Sequence, residues 1–492
     1  MQVNAWPWLA GLKAAGRAET LGDVPSRELD ELCSHFDAVW LMGVWERSPR
    51  SREVARDHPG LRREYEAALP DFRPSDVVGS PFAVHRYVVD DFFGGDGALA
   101  QFRQDLADRG ARLLLDFVPN HLAVDHPWTR EYPECFVGGT RRHLEDRPGE
   151  FFVAGGGHVL AHGRDPNFPP WTDTAQVNAQ SVELRLLYRG VLERLARACD
   201  GARCDMAMLV ARDVFERTWG WTGCTRGDGT TRAEFWEEIL PAARDVNPQF
   251  IFVAEVYWDM EWALLQQGFD FCYDKRLYDR LLRGTAVDVR GHLGADWEYS
   301  RRLVRFVENH DEQRSVTALG WPKARAAAAL ALTLPGARLV QEGQALGWQV
   351  RLPVQLGRRP VESADPEVAS FYSRLLPALP GGFDHSGRWV PCDVESVGGG
   401  DGSHVHVVAG AWETPPSPER TISVVNYSPW RARAHVRVPR LQYAAEGRQR
   451  WSFHDALAGR AYEYVSADLD RHGLYVELPP WGAHLFRVAP AR

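Results

Sequence analysis

Short continuous apolar runs recur along the first three-quarters of the chain. They alternate with longer stretches in which apolar residues return every three to four positions, the spacing of one helix face. The runs predict strands at residues 3–6, 38–43, 112–117, 201–205, 250–255, 269–273, 303–307 and 338–341, and the stretches between them predict helices at 97–109, 182–199, 231–245, 260–267, 277–283 and 323–334. Strands that are apolar throughout, alternating with amphipathic helices, imply a parallel sheet covered by helices. About eight such units favour a closed (β/α)8 TIM barrel over an open doubly wound sheet. No G-x-G-x-x-G follows the first run, which counts against a dinucleotide fold.

Two stretches break this rhythm. Residues 123–178 are rich in Gly, Pro, His and aromatics, and include Gly155-Gly156-Gly157 and Asp165-Pro166-Asn167-Phe168-Pro169-Pro170-Trp171. They read as an insertion after the third strand, and long loops in compact domains are usually functional. The second break is Pro380-Gly381-Gly382. Beyond it, alternating strands are expected at 404–409, 421–425, 435–438, 449–454 and 474–478. The expected organisation is therefore a barrel over 1–380 carrying a 123–178 subdomain, then an antiparallel β-sandwich domain over 381–492.

Composition narrows the class. A chain of 492 residues is long enough for two or three domains, and a hydrophobic fraction of 45% with 25% charged residues is that of a globular protein. A net charge of -9 disfavours a nucleic-acid partner and suits a neutral substrate. Residues 1–15 lack an apolar core behind a basic end, and no apolar run approaches bilayer-spanning length. The expectation is a soluble, cytoplasmic protein with no membrane partner. The seven scattered cysteines form no C-x-x-C pair and read as reduced structural thiols. The chain also holds 19 tryptophans, some of which could line a groove for sugar rings, whose apolar faces stack on aromatics.

The polar residues at the strand ends carry the chemistry. The third strand ends Leu115-Asp116-Phe117-Val118-Pro119-Asn120-His121, the fourth Arg203-Cys204-Asp205, the fifth Val253-Ala254-Glu255 and the seventh Glu308-Asn309-His310-Asp311. In a TIM barrel all these ends open on one rim. Carboxylates and imidazoles gathered there are costly to bury and hard to explain by stability. Such a cluster could hold a hard cation or act on a glycosidic bond. Arg203, two residues before Asp205 on the same strand face, is expected to keep Asp205 ionised. Glu255 follows an apolar strand, a setting that suits a general acid.

These strand ends resemble the four signature segments of the α-amylase superfamily, in the same order. Asp116 to His121 resembles its D-x-x-x-N-H segment, Gly201-Ala202-Arg203-Cys204-Asp205 its G-x-R-x-D segment, Ala254-Glu255 its acid-bearing segment and Asn309-His310-Asp311 its N-H-D segment. Gly79-Ser80-Pro81-Phe82 resembles the stretch whose aromatic stacks on bound sugar, and Gln176-Val177-Asn178 a fifth segment. The resemblance implies Asp205 as nucleophile, Glu255 as acid and base, and Asp311 as the group that grips sugar hydroxyls and stabilises the transition state. It also implies that Arg203 orients Asp205, that His121, His310 and Phe82 contact the sugar, and that Asp116 ties strand ends together. Carboxylates about 5–5.5 Å apart would give retention of configuration.

The expected substrate is an α-glucan or maltooligosaccharide, cleaved through a covalent glucosyl-enzyme. A transglycosylase or isomerase of the same family, trehalose-forming or maltosyl-transferring, stays open, as does an amylase-like binding subunit. Asn120 resembles a residue that often holds calcium. Met208 and Leu209, however, stand where many α-amylases have Lys and His, and Arg86 where they often have an acidic residue. No cofactor is expected, and a structural calcium stays open as an alternative.

Overall fold

A computed structural model describes residues 1–224, 233–380, 387–414, 417, 419–438 and 449–491. The chain folds as two compact units, Met1–Tyr273 with Leu352–Val361, and Asp274–Arg351 with Glu362–Arg492.

In the first unit six strands lie side by side in chain order, all parallel: β1 (Gln2–Asn4), β2 (Ala38–Met42), β3 (Arg112–Phe117), β4 (Gly201–Cys204), β5 (Ile251–Ala254) and β6 (Phe271–Tyr273). Helices separate them, among them Gly95–Ala107, Val182–Ala198 and Phe235–Val246. Helix Val182–Ala198 shows how the sequence dictates this. Ser181 caps its start by accepting the Leu184 N–H, and Leu184, Tyr188, Val191, Leu192 and Leu195 form its buried stripe.

One expected strand is corrected. The run at 3–6 stops pairing at Asn4, and a helix, Ala5–Ala14, starts at Ala5. A short apolar run does not separate strand from buried helix, and Pro7 sits in the first helical turn, where its missing N–H costs nothing. Thr231 and Arg232 of the expected helix 231–245 lie outside the described residues.

The expected insertion is anchored by a two-stranded antiparallel ladder, His121–Ala123 against Thr174–Gln176, with His121 opposite Gln176. Inside it lie a short hairpin, Phe151–Val153 with Val159–Ala161, and the helices Trp128–Glu131 and Arg141–Asp146.

The second unit contributes β7 (Leu303–Arg305) and β8 (Ala337–Arg338), again parallel, with helices that include Lys275–Arg283 and Trp321–Ala331. Eight parallel strands joined through helices make the fold a (β/α)8 barrel. The same unit holds an antiparallel β domain with one six-stranded and one three-stranded sheet. Its core interleaves Val407, Ile422, Val424, Trp451, Phe453 and Phe486 with Val436, Leu474 and Val476.

Here too the structure adjusts the sequence expectations. The strand foreseen at 404–409 runs Val407–Glu413, because Ser403–His406 forms a 3-10 turn. Gly381 and Gly382, in the Pro-Gly-Gly break, lie outside the described residues. Trp389 and Trp412 are buried, and the Trp412 indole donates to the Thr333 carbonyl at 2.7 Å. Trp430 is exposed. Among the described residues, no helix is long and apolar enough to cross a membrane.

Candidate active site

The ends of β3, β4 and β5 are locked in register. Arg203 on β4 pairs with Asp116 on β3 and Val253 on β5, and Cys204 with Phe117 and Ala254. Beyond the strands the pairing continues: the Asp205 N–H donates to the Phe117 carbonyl at 2.9 Å, and the Glu255 N–H to the Cys204 carbonyl at 3.0 Å. Gly201 makes this fit possible at the start of β4. A Cβ there would lie 2.6 Å from the Ile251 carbonyl oxygen and 3.2 Å from the Leu114 side chain.

One guanidinium serves both carboxylates of this rim. Arg203 Nη1 donates to Asp205 Oδ1 at 2.5 Å, and Nη2 lies 2.8 Å from Glu255 Oε2. The second contact is an ion pair without the alignment of a hydrogen bond, since Nη2 finds no aligned acceptor. All three groups are 5% exposed or less, so their charges interact with little screening. Burial works against the Arg203 charge. Glu255, then Tyr273, Asp205 and Asp116, outweigh it and hold the guanidinium proton more tightly than usual. Around the same cation stand the rings of Trp40, Phe82 and Tyr273, with centroids at 5.1, 5.2 and 5.8 Å.

Glu255 is held from three sides. Its Oε2 also accepts the Met206 N–H at 2.7 Å, and its Oε1 accepts the Tyr257 hydroxyl at 2.8 Å. The apolar setting expected from the strand is therefore corrected, because its oxygens meet donors. The expectation failed because β5 itself is apolar while the donors come from loops. Met206 is a non-glycine residue in the left-handed region (φ 42°, ψ 47°), a conformation that costs about 1–2 kcal/mol. That twist belongs to the turn whose N–H reaches Glu255.

Asp116 is fully buried and ties strand ends together. It accepts the Gly43 N–H at 2.6 Å and the Trp40 indole N–H at 3.0 Å, while its carbonyl takes the Trp45 indole at 2.7 Å. Burial pushes its carboxyl up to about 6, against Arg203 and these donors.

His121 is buried with Nε2 4.0 Å from Asp205 Oδ2, and its ring lies 4.9 Å from that of Trp171 in the insertion. Asn120, the residue resembling a calcium holder, spends its side-chain oxygen on Gln176 Nε2 at 2.9 Å. Among the described residues, no group of three or more His, Cys, Asp or Glu could hold a metal ion. Met208 and Leu209 are buried and apolar, and Arg86 faces Glu46 at 3.8 Å.

In the second unit, His310 and Asp311 follow β7. His310 is buried, with Nε2 3.1 Å from Asp311 Oδ2; the Asp311 side chain is 47% exposed. The Asn309 side chain accepts the Asp311 N–H at 3.0 Å, and the Asp311 carbonyl accepts from Arg351 at 3.3 Å. Glu308, by contrast, is fastened inside the fold by Arg314 and Ser315.

No family model matches the chain. Its similarities lie with curated proteins and solved structures. Alpha-amylase MalA of Haloarcula japonica is 27% identical over 322 residues, which is 61% of this chain and 42% of that protein. Alpha-amylase 3 of Dictyoglomus thermophilum is 21% identical over 310 residues, 57% of each chain. The chain thus spans about half the length of the curated relatives it matches. An alpha-amylase structure from Lactobacillus plantarum superposes with a TM-score of 0.64 at 16% identity, covering 99% of this chain and 98% of that one. The chain is similar to α-amylases in sequence over part of its length, and it shares their fold.

The strand geometry places the G-x-R-x-D glycine, arginine and aspartate on one physical footing. The glycine admits β4 between β3 and β5, and the arginine reaches both carboxylates. Sequence reasoning missed Tyr257, Met206 and Trp40, which hold Glu255 and Asp116. Tyr257 stands two residues after Glu255, and that proximity was the only available signal. Half-exposed Trp258 and Trp262 follow in the same segment, with Trp258 and Asp259 both in the left-handed region (φ 63° and 61°).

Proposed function

We propose that the protein is a retaining glycoside hydrolase acting on α-glucans or maltooligosaccharides. The observation that carries this reading is the buried pair Asp205 and Glu255 sharing Arg203. Such a cluster costs stability, and its cost is explained by catalysis. In this reading Asp205, kept ionised by Arg203, attacks the anomeric carbon. Glu255 protonates the departing glycosidic oxygen. In the second half, Glu255 takes a proton from water as that water attacks and releases Asp205.

His121, neutral through burial, offers a hydrogen bond to a sugar hydroxyl without adding charge. Phe82 supplies a ring wall beside the Arg203–Asp205 pair. For His310 and Asp311 the family resemblance supports the roles of hydroxyl contact and transition-state stabiliser. Neither cytoplasmic location nor a metal is needed for this chemistry.

The test is product analysis by mass spectrometry on maltose to maltoheptaose, with wild type and Asp205→Asn. Shorter sugars from the wild type and at least 10³-fold less from the variant, an order of magnitude set by loss of a nucleophile, are the expected result. Longer or rearranged sugars would replace hydrolysis by transglycosylation, and equal turnover by the variant would remove Asp205 from the mechanism.

A further inference from the structure

The oxygens of Glu255 are not equivalent, and their partners restrict where a catalytic proton can reside. Oε2 faces the Met206 N–H at 2.7 Å and the Arg203 guanidinium at 2.8 Å. Both groups carry only N–H and neither can accept, so a proton on Oε2 would point at other protons. Oε1 faces the Tyr257 hydroxyl at 2.8 Å, and a hydroxyl rotates to accept as readily as it donates.

We propose that Tyr257 is a positioning residue that assigns the catalytic proton of Glu255 to Oε1. This rests on the hydrolase reading above. With Glu255 ionised, Tyr257 donates to Oε1. With Glu255 protonated, the Oε1–H donates to the Tyr257 oxygen until a glycosidic oxygen replaces it as acceptor. The proton then passes from Oε1 to that oxygen as the C1–O bond breaks and Asp205 bonds to C1, leaving Glu255 ionised and Tyr257 donating again. In the second half, one proton of the attacking water returns to Oε1 while its oxygen bonds to C1 and Asp205 leaves. Atoms and charges balance over the cycle, and Tyr257 gains and loses no proton.

Among the described residues of the first unit, the charged and titratable groups around Glu255 include Arg203 and Asp205 from β4 and its following turn, His121 from the insertion ladder, and Tyr257 from its own segment. Arg203 and His121 stay in one charge state across the working range, because Arg203 is held protonated and burial keeps His121 neutral down to about 3. Removing the Tyr257 hydroxyl removes a donor to the ionised acid, which then keeps its proton to higher pH.

The experiment is Tyr257→Phe, compared with wild type in pH profiles of kcat/KM on maltoheptaose and on 4-nitrophenyl α-maltoside. Tyr257 is half-buried, so this change removes one hydroxyl and leaves the packing in place. The alkaline limb on maltoheptaose should move up by about one pH unit. At its optimum, kcat should fall about tenfold, part of the ~10²–10⁴ a general acid contributes. The nitrophenyl glycoside, whose leaving group needs no proton, should lose less than threefold. An unmoved limb, or equal losses on both substrates, would overturn the assignment. Wild type inactive on both would instead overturn the hydrolase reading itself.

Discussion

Burial holds the His121 ring neutral down to about pH 3, against the charge of Glu255. It does the same to His126, to about 3, aided by the charges of His85 and Arg86. An unfolded histidine takes its proton near 6.5. Between that pH and about 3 the unfolded chain therefore binds more protons, so stability is lost as pH falls through this window. Asp116 and Asp173, pushed up to about 6 by burial, act oppositely, weakening the fold as pH rises from about 4 to about 6. A variant separates the two effects. His126→Asn, which keeps an acceptor for the Trp128 N–H, should flatten the decline of Tm between pH 6.5 and 4.5 in thermal melts. An unchanged slope would mean that His126 does not contribute. None of this was legible in the sequence, where a histidine in a loop gives no sign of how deeply it is buried.

Elements were more legible than residues. Each expected barrel run meets a strand, because buried parallel strands read as continuous apolar runs. The run at 338–341, however, is strand only at Arg338, and the half-buried β8 is Ala337–Arg338. Their ends were less certain, as at Ala5, where a helix follows immediately. The G-x-R-x-D glycine was recognised by resemblance, and its reason emerged only with neighbours on both sides. A methyl group at Gly201 meets backbone rather than a flexible side chain, so β4 and β5 must separate. Gly201→Ala should cost about 1–3 kcal/mol in urea denaturation, the usual penalty for overpacking. It should also lower kcat more than KM changes, because Arg203 and Asp205 ride on the same strand. Wild-type stability and kcat would show that the strand absorbs the methyl freely. What the elements hid was the loop chemistry: Met206 and Tyr257 act through a left-handed turn and a hydroxyl, and neither leaves a periodic trace.

At the scale of the whole molecule, the alternation of runs and helices was enough to specify a (β/α)8 barrel followed by antiparallel strands. The six-strand and two-strand contributions of the two units were not visible, since hydrophobic pattern records burial and not which elements pack together. Nor was the burial of Trp389 and Trp412. The proposed substrate chemistry rests on the ordered strand-end motifs, because composition alone fits many globular enzymes. The central claim is that Asp205 forms a covalent bond to sugar while Glu255 manages the proton. Its most direct test is the intact mass of Glu255→Gln after incubation with α-maltosyl fluoride, which needs no acid for departure. A single maltosyl adduct mapping to the peptide that holds Asp205 is the predicted result. An adduct on another residue, or fluoride release with no adduct at any time, would contradict the account.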